Sequence, residues 1–120
     1  MVRITFRHIT GARATQVDHI VLGSHSELIL GRAPSAAIRF DPLEDRRVGR
    51  QHARISWTED EPIVFMLSDL GSRNGTFVNG RLLTAPITLH SGDLIQLGAM
   101  GPEVEIKWEG AGSSKLQLIG

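Results

Sequence analysis

The sequence predicts an all-β protein, a β-sandwich of about ten or eleven short strands. Three observations predict it. Apolar and polar residues alternate with period two in almost every segment, turn residues cut those segments after a few positions, and no window carries a helical apolar face of useful length. At 120 residues and 41% apolar content the chain suits one domain with a core that needs no covalent staples.

Ile4, Phe6 and His8 share one side of a first strand. Val17 to Leu22 and Glu27 to Leu30 read as a hairpin turning at Gly23-Ser24-His25-Ser26, and Ala37 to Phe40 as a short strand after Pro34-Ser35. From His52 to Trp57, Ala53, Ile55 and Trp57 take one face and His52, Arg54 and Ser56 the other. Pro62 to Leu67 is nearly all apolar, the pattern of a strand covered on both faces. Thr76 to Val78, Ile87 to Leu89, Leu94 to Leu97 and Val104 to Trp108 complete the set, the last with Val104, Ile106 and Trp108 inward. Asn74-Gly75 and Asn79-Gly80 signal tight turns, because both residue types tolerate positive φ. The sandwich is thus expected over residues 1–109. The tail 110–120 begins with the linker-like Gly110-Ala111-Gly112-Ser113-Ser114, after which Leu116, Leu118 and Ile119 add an edge strand or lead to another module.

Composition excludes several function classes. Without cysteine there is neither a disulfide framework nor a thiolate metal site. His8, His19, His25 and His90 show no metal-ligand spacing and read as surface or half-buried strand residues, so no metal and no cofactor are expected. The N-terminus lacks the apolar core of a signal peptide, and no stretch reaches the ~18 apolar residues of a membrane span, so a cytoplasmic domain without membrane insertion is expected. Thirteen basic and thirteen acidic residues cancel, which argues against a general nucleic-acid binder. No Gly-x-Ser-x-Gly elbow and no Gly-Lys-Ser/Thr phosphate loop occurs, and the paired acids Glu44-Asp45 and Glu59-Asp60-Glu61 look like solvated turns. The chain does not read as an enzyme.

What remains is a constellation at strand-to-turn boundaries: Gly31-Arg32, then Val48-Gly49-Arg50-Gln51-His52, then Asp69-Leu70-Gly71-Ser72-Arg73-Asn74-Gly75-Thr76-Phe77-Val78-Asn79-Gly80, and last Gly92-Asp93 before an apolar strand. In order and spacing these segments resemble the forkhead-associated (FHA) domain, a family that reads phosphothreonine peptides. The resemblance covers roughly residues 25 to 108, and it implies a sandwich with recognition loops gathered at one end and both chain termini at the other. It departs at Gly49, where the family usually places a phosphate-binding serine.

A phosphothreonine brings about −1.5 to −2 charges and three strong acceptor oxygens, so its reader needs a fixed guanidinium and donors around it. Arg32 suits that role because its planar fork takes two phosphate oxygens at once. The resemblance assigns Gly49, Arg50, Arg73 and Asn74 to the same site, with Asn74 holding the peptide main chain. It assigns loop support to Gly31, His52, Ser72, Gly75, Thr76, Asn79 and Gly80. Arg46 and Arg47 read as a solvated loop. Two functions follow: a non-catalytic module that binds partners phosphorylated on threonine by a Ser/Thr kinase, its affinity weakened at Gly49, or an FHA-like scaffold whose binding or self-association is independent of phosphate.

Overall fold

In a computed structural model, which describes residues 2–23, 26–58 and 62–110, eleven strands build two sheets. One sheet holds β1 (Arg3–His8), β2 (Val17–Val21), β7 (Thr76–Val78), β8 (Arg81–Leu82), β10 (Leu94–Leu97) and β11 (Glu103–Glu109), in the order β2-β1-β11-β10-β7-β8. The other holds β3 (Glu27–Gly31), β4 (Ile38–Arg39), β5 (Ala53–Trp57), β6 (Phe65–Asp69) and β9 (Ile87–Thr88), in the order β4-β3-β5-β6-β9. The pairings are antiparallel except β3 with β4. This is the expected all-β sandwich, and the described residues contain no helix.

Alternation supplies the core. Ile4, Phe6, Ile95, Leu97, Val104 and Ile106 from the first sheet meet Leu28, Leu30, Ile55, Phe65 and Leu67 from the second, and all are buried. Phe65 lies between two indoles, with its ring centroid 5.7 Å from that of Trp57 and 4.7 Å from that of Trp108. Burial of each large apolar side chain contributes about 1.5 to 3 kcal/mol, so the alternation that names the strands also holds the sheets together.

Four expectations need correction. Val17–Val21 and Glu27–Gly31 do not pair as a hairpin: β2 bonds to β1 in one sheet and β3 to β5 and β4 in the other, so the chain crosses between sheets there. The run before Leu67 is not covered on both faces, for Val64 is exposed and Met66 only half-buried while Phe65 and Leu67 point inward. His8 is fully buried rather than half-buried, because it continues the inward row of Ile4 and Phe6. Asp45 is buried as well, with one carboxylate oxygen accepting from the Ala12 N–H and the other from that of Asp41. The expected turn residues Ser24 and His25, the acids Glu59-Asp60-Glu61 and the tail beyond Gly110 lie outside the described residues.

Register fixes the two poles. Arg3 faces Glu109 across the β1–β11 ladder, which brings the described chain ends together, while His8 faces Val104 at the opposite pole. There the end of β10 also arrives, since Gln96 faces Glu103. The Gly98 N–H donates to the Gly75 carbonyl at 2.8 Å, which places the β6–β7 loop at the same pole.

Candidate functional site

Arg32 leaves the end of β3 beside the long loop between β4 and β5. Gly31 precedes it because a side chain has no room: a Cβ there would lie 2.1 Å from the Arg50 carbonyl oxygen. That close approach lets the Arg32 and Ala33 N–H groups donate to the carbonyls of Gly49 and Arg50, each at 3.0 Å. The Arg32 guanidinium then folds over the same loop, with Nε donating to the Val48 carbonyl and Nη1 to that of Pro42 at 3.0 Å. Two of the five N–H donors of a guanidinium are spent on aiming it, and the rest make no hydrogen bond among the described residues.

His52 ties this loop to the next one. Its ring is fully buried, Nδ1 accepts from the Gly49 N–H at 2.9 Å and Nε2 donates to the Gly75 carbonyl at 2.8 Å. An amide can only donate, so Nδ1 carries no proton and the ring is the neutral Nε2–H tautomer. Burial holds its pKa below the ordinary 6.5, against the opposing pull of the Gly75 carbonyl and the Asp69 carboxylate. The support expected of His52 is thus a bridge between two loops. Gly49 itself does not take positive φ, and a Cβ placed on it would meet nothing nearer than His52 Nδ1 at 3.7 Å.

The β6–β7 loop is organised by a carboxylate to which the sequence reading gave no role. Asp69 Oδ1 accepts from the hydroxyls of Ser72 and Thr76, at 2.5 and 2.7 Å, and Oδ2 from the Ser72 N–H at 2.9 Å. Burial opposes ionisation of Asp69, yet these donors, with His52 nearby, outweigh it and hold the carboxyl below the ordinary range. Ser72 Oγ in turn accepts from the Gly75 N–H at 2.9 Å. Gly75 is needed for its φ of 84°, and the Leu82 side chain presses where its Cβ would be. Asn74 donates from Nδ2 to the Arg47 carbonyl at 3.0 Å, which orients the amide and leaves Oδ1 without a partner among the described residues.

Arg32, Gly49, Arg50 and Asn74 therefore converge on one pole, with Arg73 exposed on the same loop as Asn74. Asn79 and Gly80 do not join them. They form the β7–β8 turn at φ 50° and 83°, and Asn79 bonds to Asp93 and Leu94 at the far end of β7. Beyond Asp69, the sequence reading missed a brace from the β1–β2 loop: Arg13 grips Asp18 with both Nη atoms at 2.7 Å and donates to the Arg39 carbonyl at 2.9 Å. An Asp three residues before a Ser is the recognisable turn signal for Asp69, whereas nothing local marks the Arg13 brace. No group of three or more His, Asp or Glu side chains suited to a metal occurs among the described residues.

Comparison with known proteins agrees with this architecture. The FHA domain family profile matches residues 28–98. The oxoglutarate dehydrogenase inhibitor of Corynebacterium efficiens is 35% identical, over 71% of this chain and 68% of its own. A domain solved in a structural and functional study of phosphothreonine-dependent FHA domain interactions superposes with a TM-score of 0.71 at 28% identity, covering 91% of this chain and 99% of that one. The FhaA FHA domain, solved in complex with the intracellular domain of Rv3910, gives a TM-score of 0.67 at 28% identity over 87% and 99%. With its two sheets, its gathered loops and a family match over more than half its length, the chain belongs to the FHA domain family of phosphopeptide-binding modules.

Proposed function

We propose that this domain binds partner proteins phosphorylated on threonine by a Ser/Thr kinase, without catalysis, in the cytoplasm where such kinases find ATP. The observation that carries the reading is the Arg32 guanidinium, held by two backbone carbonyls so that its remaining donors are fixed before any ligand arrives. Pre-aimed donors strengthen binding because less side-chain freedom is lost on association. Arg50 and Arg73 add charge around the phosphate, and the free Oδ1 of Asn74 accepts from the peptide main chain. Resemblance to an inhibitor of a metabolic enzyme and to a domain complexed with another protein supports action through binding.

A second reading, a scaffold independent of phosphate, is favoured by one feature. Residue 49 offers no hydroxyl, and its N–H is already given to His52. Calorimetry with matched phosphothreonine, phosphoserine and unphosphorylated peptides separates the two. The phosphothreonine peptide should bind best, since its buried methyl adds about 0.8 kcal/mol. Arg32→Ala should weaken it by about 2 kcal/mol or more, and should also lower the melting temperature because the Val48 and Pro42 carbonyls lose their donor, so unphosphorylated peptide serves as the control that separates the two effects. Equal binding of phosphorylated and unphosphorylated peptides would leave the scaffold reading standing.

A further inference from the structure

One of the two carbonyls that aim Arg32 lies on a lightly tethered piece of chain. Arg32 Nη1 donates to Pro42, just beyond β4, and β4 is an edge strand whose ladder to β3 holds only the pairs Leu30–Ile38 and Gly31–Arg39. Two further bonds fasten this corner to the end of β3. The Phe40 N–H donates to the Gly31 carbonyl at 2.9 Å, and Arg39 Nε to the Arg32 carbonyl at 3.2 Å. So short a ladder still needs anchors from elsewhere.

The β1–β2 loop supplies them. Arg13 Nη1 donates to the Arg39 carbonyl at 2.9 Å, while Nη1 and Nη2 grip the two oxygens of Asp18 at 2.7 Å and Nε donates to Gln16 at 2.8 Å. Asp18 is held from behind by the buried His8 ring, whose Nε2 donates to Oδ2 at 3.0 Å because an ionised carboxylate only accepts. Beside Arg13, the Ala12 N–H donates to Asp45 Oδ1 at 3.2 Å, and Asp45 Oδ2 accepts from the Asp41 N–H at 3.3 Å. The segment that carries Pro42 is therefore clamped on both sides, at Arg39 before it and at Asp45 after it. The bidentate pair with Asp18 fixes the direction in which Arg13 reaches.

Resting on the phosphothreonine reading, we propose that Arg13 is a positioning residue for phosphate: it does not touch the peptide, and it sets affinity by fixing the Arg39–Pro42 segment, whose last carbonyl directs the Arg32 guanidinium. With the brace cut, Pro42 gains freedom and Arg32 loses a fixed reference, so order must be restored on binding. Affinity then falls by the cost of ordering one rotamer-rich side chain, about twofold to tenfold, although every group that meets phosphate is still present.

The test is a double-mutant cycle on the full chain with one phosphothreonine peptide, comparing Arg13→Ala in the wild-type background and in Arg32→Lys. A lysine keeps the charge but has no planar fork for two carbonyls to aim. Arg13→Ala should weaken binding by about twofold to tenfold when Arg32 is present and should leave the affinity of the Arg32→Lys protein unchanged. Asp18→Asn, which releases Arg13 without touching Arg39, should behave the same way. A second readout needs no ligand and decides the matter where Arg32→Lys binds too weakly to titrate. By NMR of isotope-labelled protein, exchange of the Arg32 guanidinium N–H groups with water should be faster in Arg13→Ala than in wild type, while the amides of β5 keep their protection. An equal loss of affinity in both backgrounds marks a merely structural defect and overturns the proposal. Unchanged affinity in Arg13→Ala overturns it too, as does unchanged exchange at Arg32 or faster exchange throughout the core. In each of these cases wild-type binding leaves the phosphothreonine reading intact, whereas failure of the wild-type chain to bind any phosphopeptide overturns both.

Discussion

Gly49 is the residue at which this chain parts from its family's usual site, and the geometry says what a serine would do there. Its φ is not positive and its Cβ position meets only ordinary contacts, so the loop would accept Gly49→Ser without strain. The new hydroxyl is expected to tighten phosphothreonine binding by up to the 1.5 to 3 kcal/mol of a charge-assisted bond, about tenfold to a hundredfold. Melting temperature should not move. Unchanged affinity in titration would show that phosphate does not come near residue 49. Gly31 stands in contrast, because there the Arg50 carbonyl forbids any side chain. The family resemblance assigns the two glycines different roles, but composition and periodicity alone cannot show that one faces open space and the other a close contact made by a segment far along the chain.

Among the elements, the β6–β7 loop shows how much shape one carboxylate can impose. Asp69 satisfies two hydroxyls and an amide, and Ser72 relays that order to Gly75, whose carbonyl accepts a hydrogen bond from His52 Nε2–H. Asp69→Ala should therefore cost about 1.5 to 3 kcal/mol in denaturant unfolding, the loss expected of hydrogen bonds to a charged group. It should also weaken phosphopeptide binding, because Asn74 sits on the same loop. A variant of wild-type stability would show that the loop is set by its glycines alone. Strand identity was legible here because alternation is local. Pairing was not: β2 and β3 have the spacing of a hairpin, and both alternate whether they share a sheet or face one another across the core. The burial of Asp45 was equally hidden, for its partner Ala12 lies 33 residues away.

For the whole molecule, two buried imidazoles set the response to acid. Burial lowers the pKa of His8, against the hydrogen bond it makes to Asp18 at 3.0 Å, and burial likewise lowers that of His52. The His8 Nδ1 is buried without a partner, so a proton placed there would find no acceptor. Between the lowered folded values and the ordinary 6.5 the unfolded chain binds more protons, so stability is complete above about 6.5 and declines as pH falls below it. The depressed carboxyls Asp18 and Asp69 extend the loss to lower pH, below their ordinary 3.8. Melting temperature should therefore fall between about pH 7 and 5, and His8→Gln, which takes up no proton, should flatten that slope. An identical slope in the variant would assign the effect to His52 alone. The fold class was legible from alternation, whereas the gathering of the loops followed only from the family resemblance. The inward turn of His8 followed from its register with Ile4 and Phe6, and the reading set it aside because a histidine is usually wet.

The pairing of Arg3 with Glu109 makes one pole a handle and the other a face. A sensor chip that grips the domain beside Arg3 or beside Glu109 would present Arg32, Arg50 and Arg73 to the solution, so anchoring at either of these two positions should report the same affinity for a phosphopeptide. The orientation problem that troubles immobilised binders is already solved by the direction of two strands.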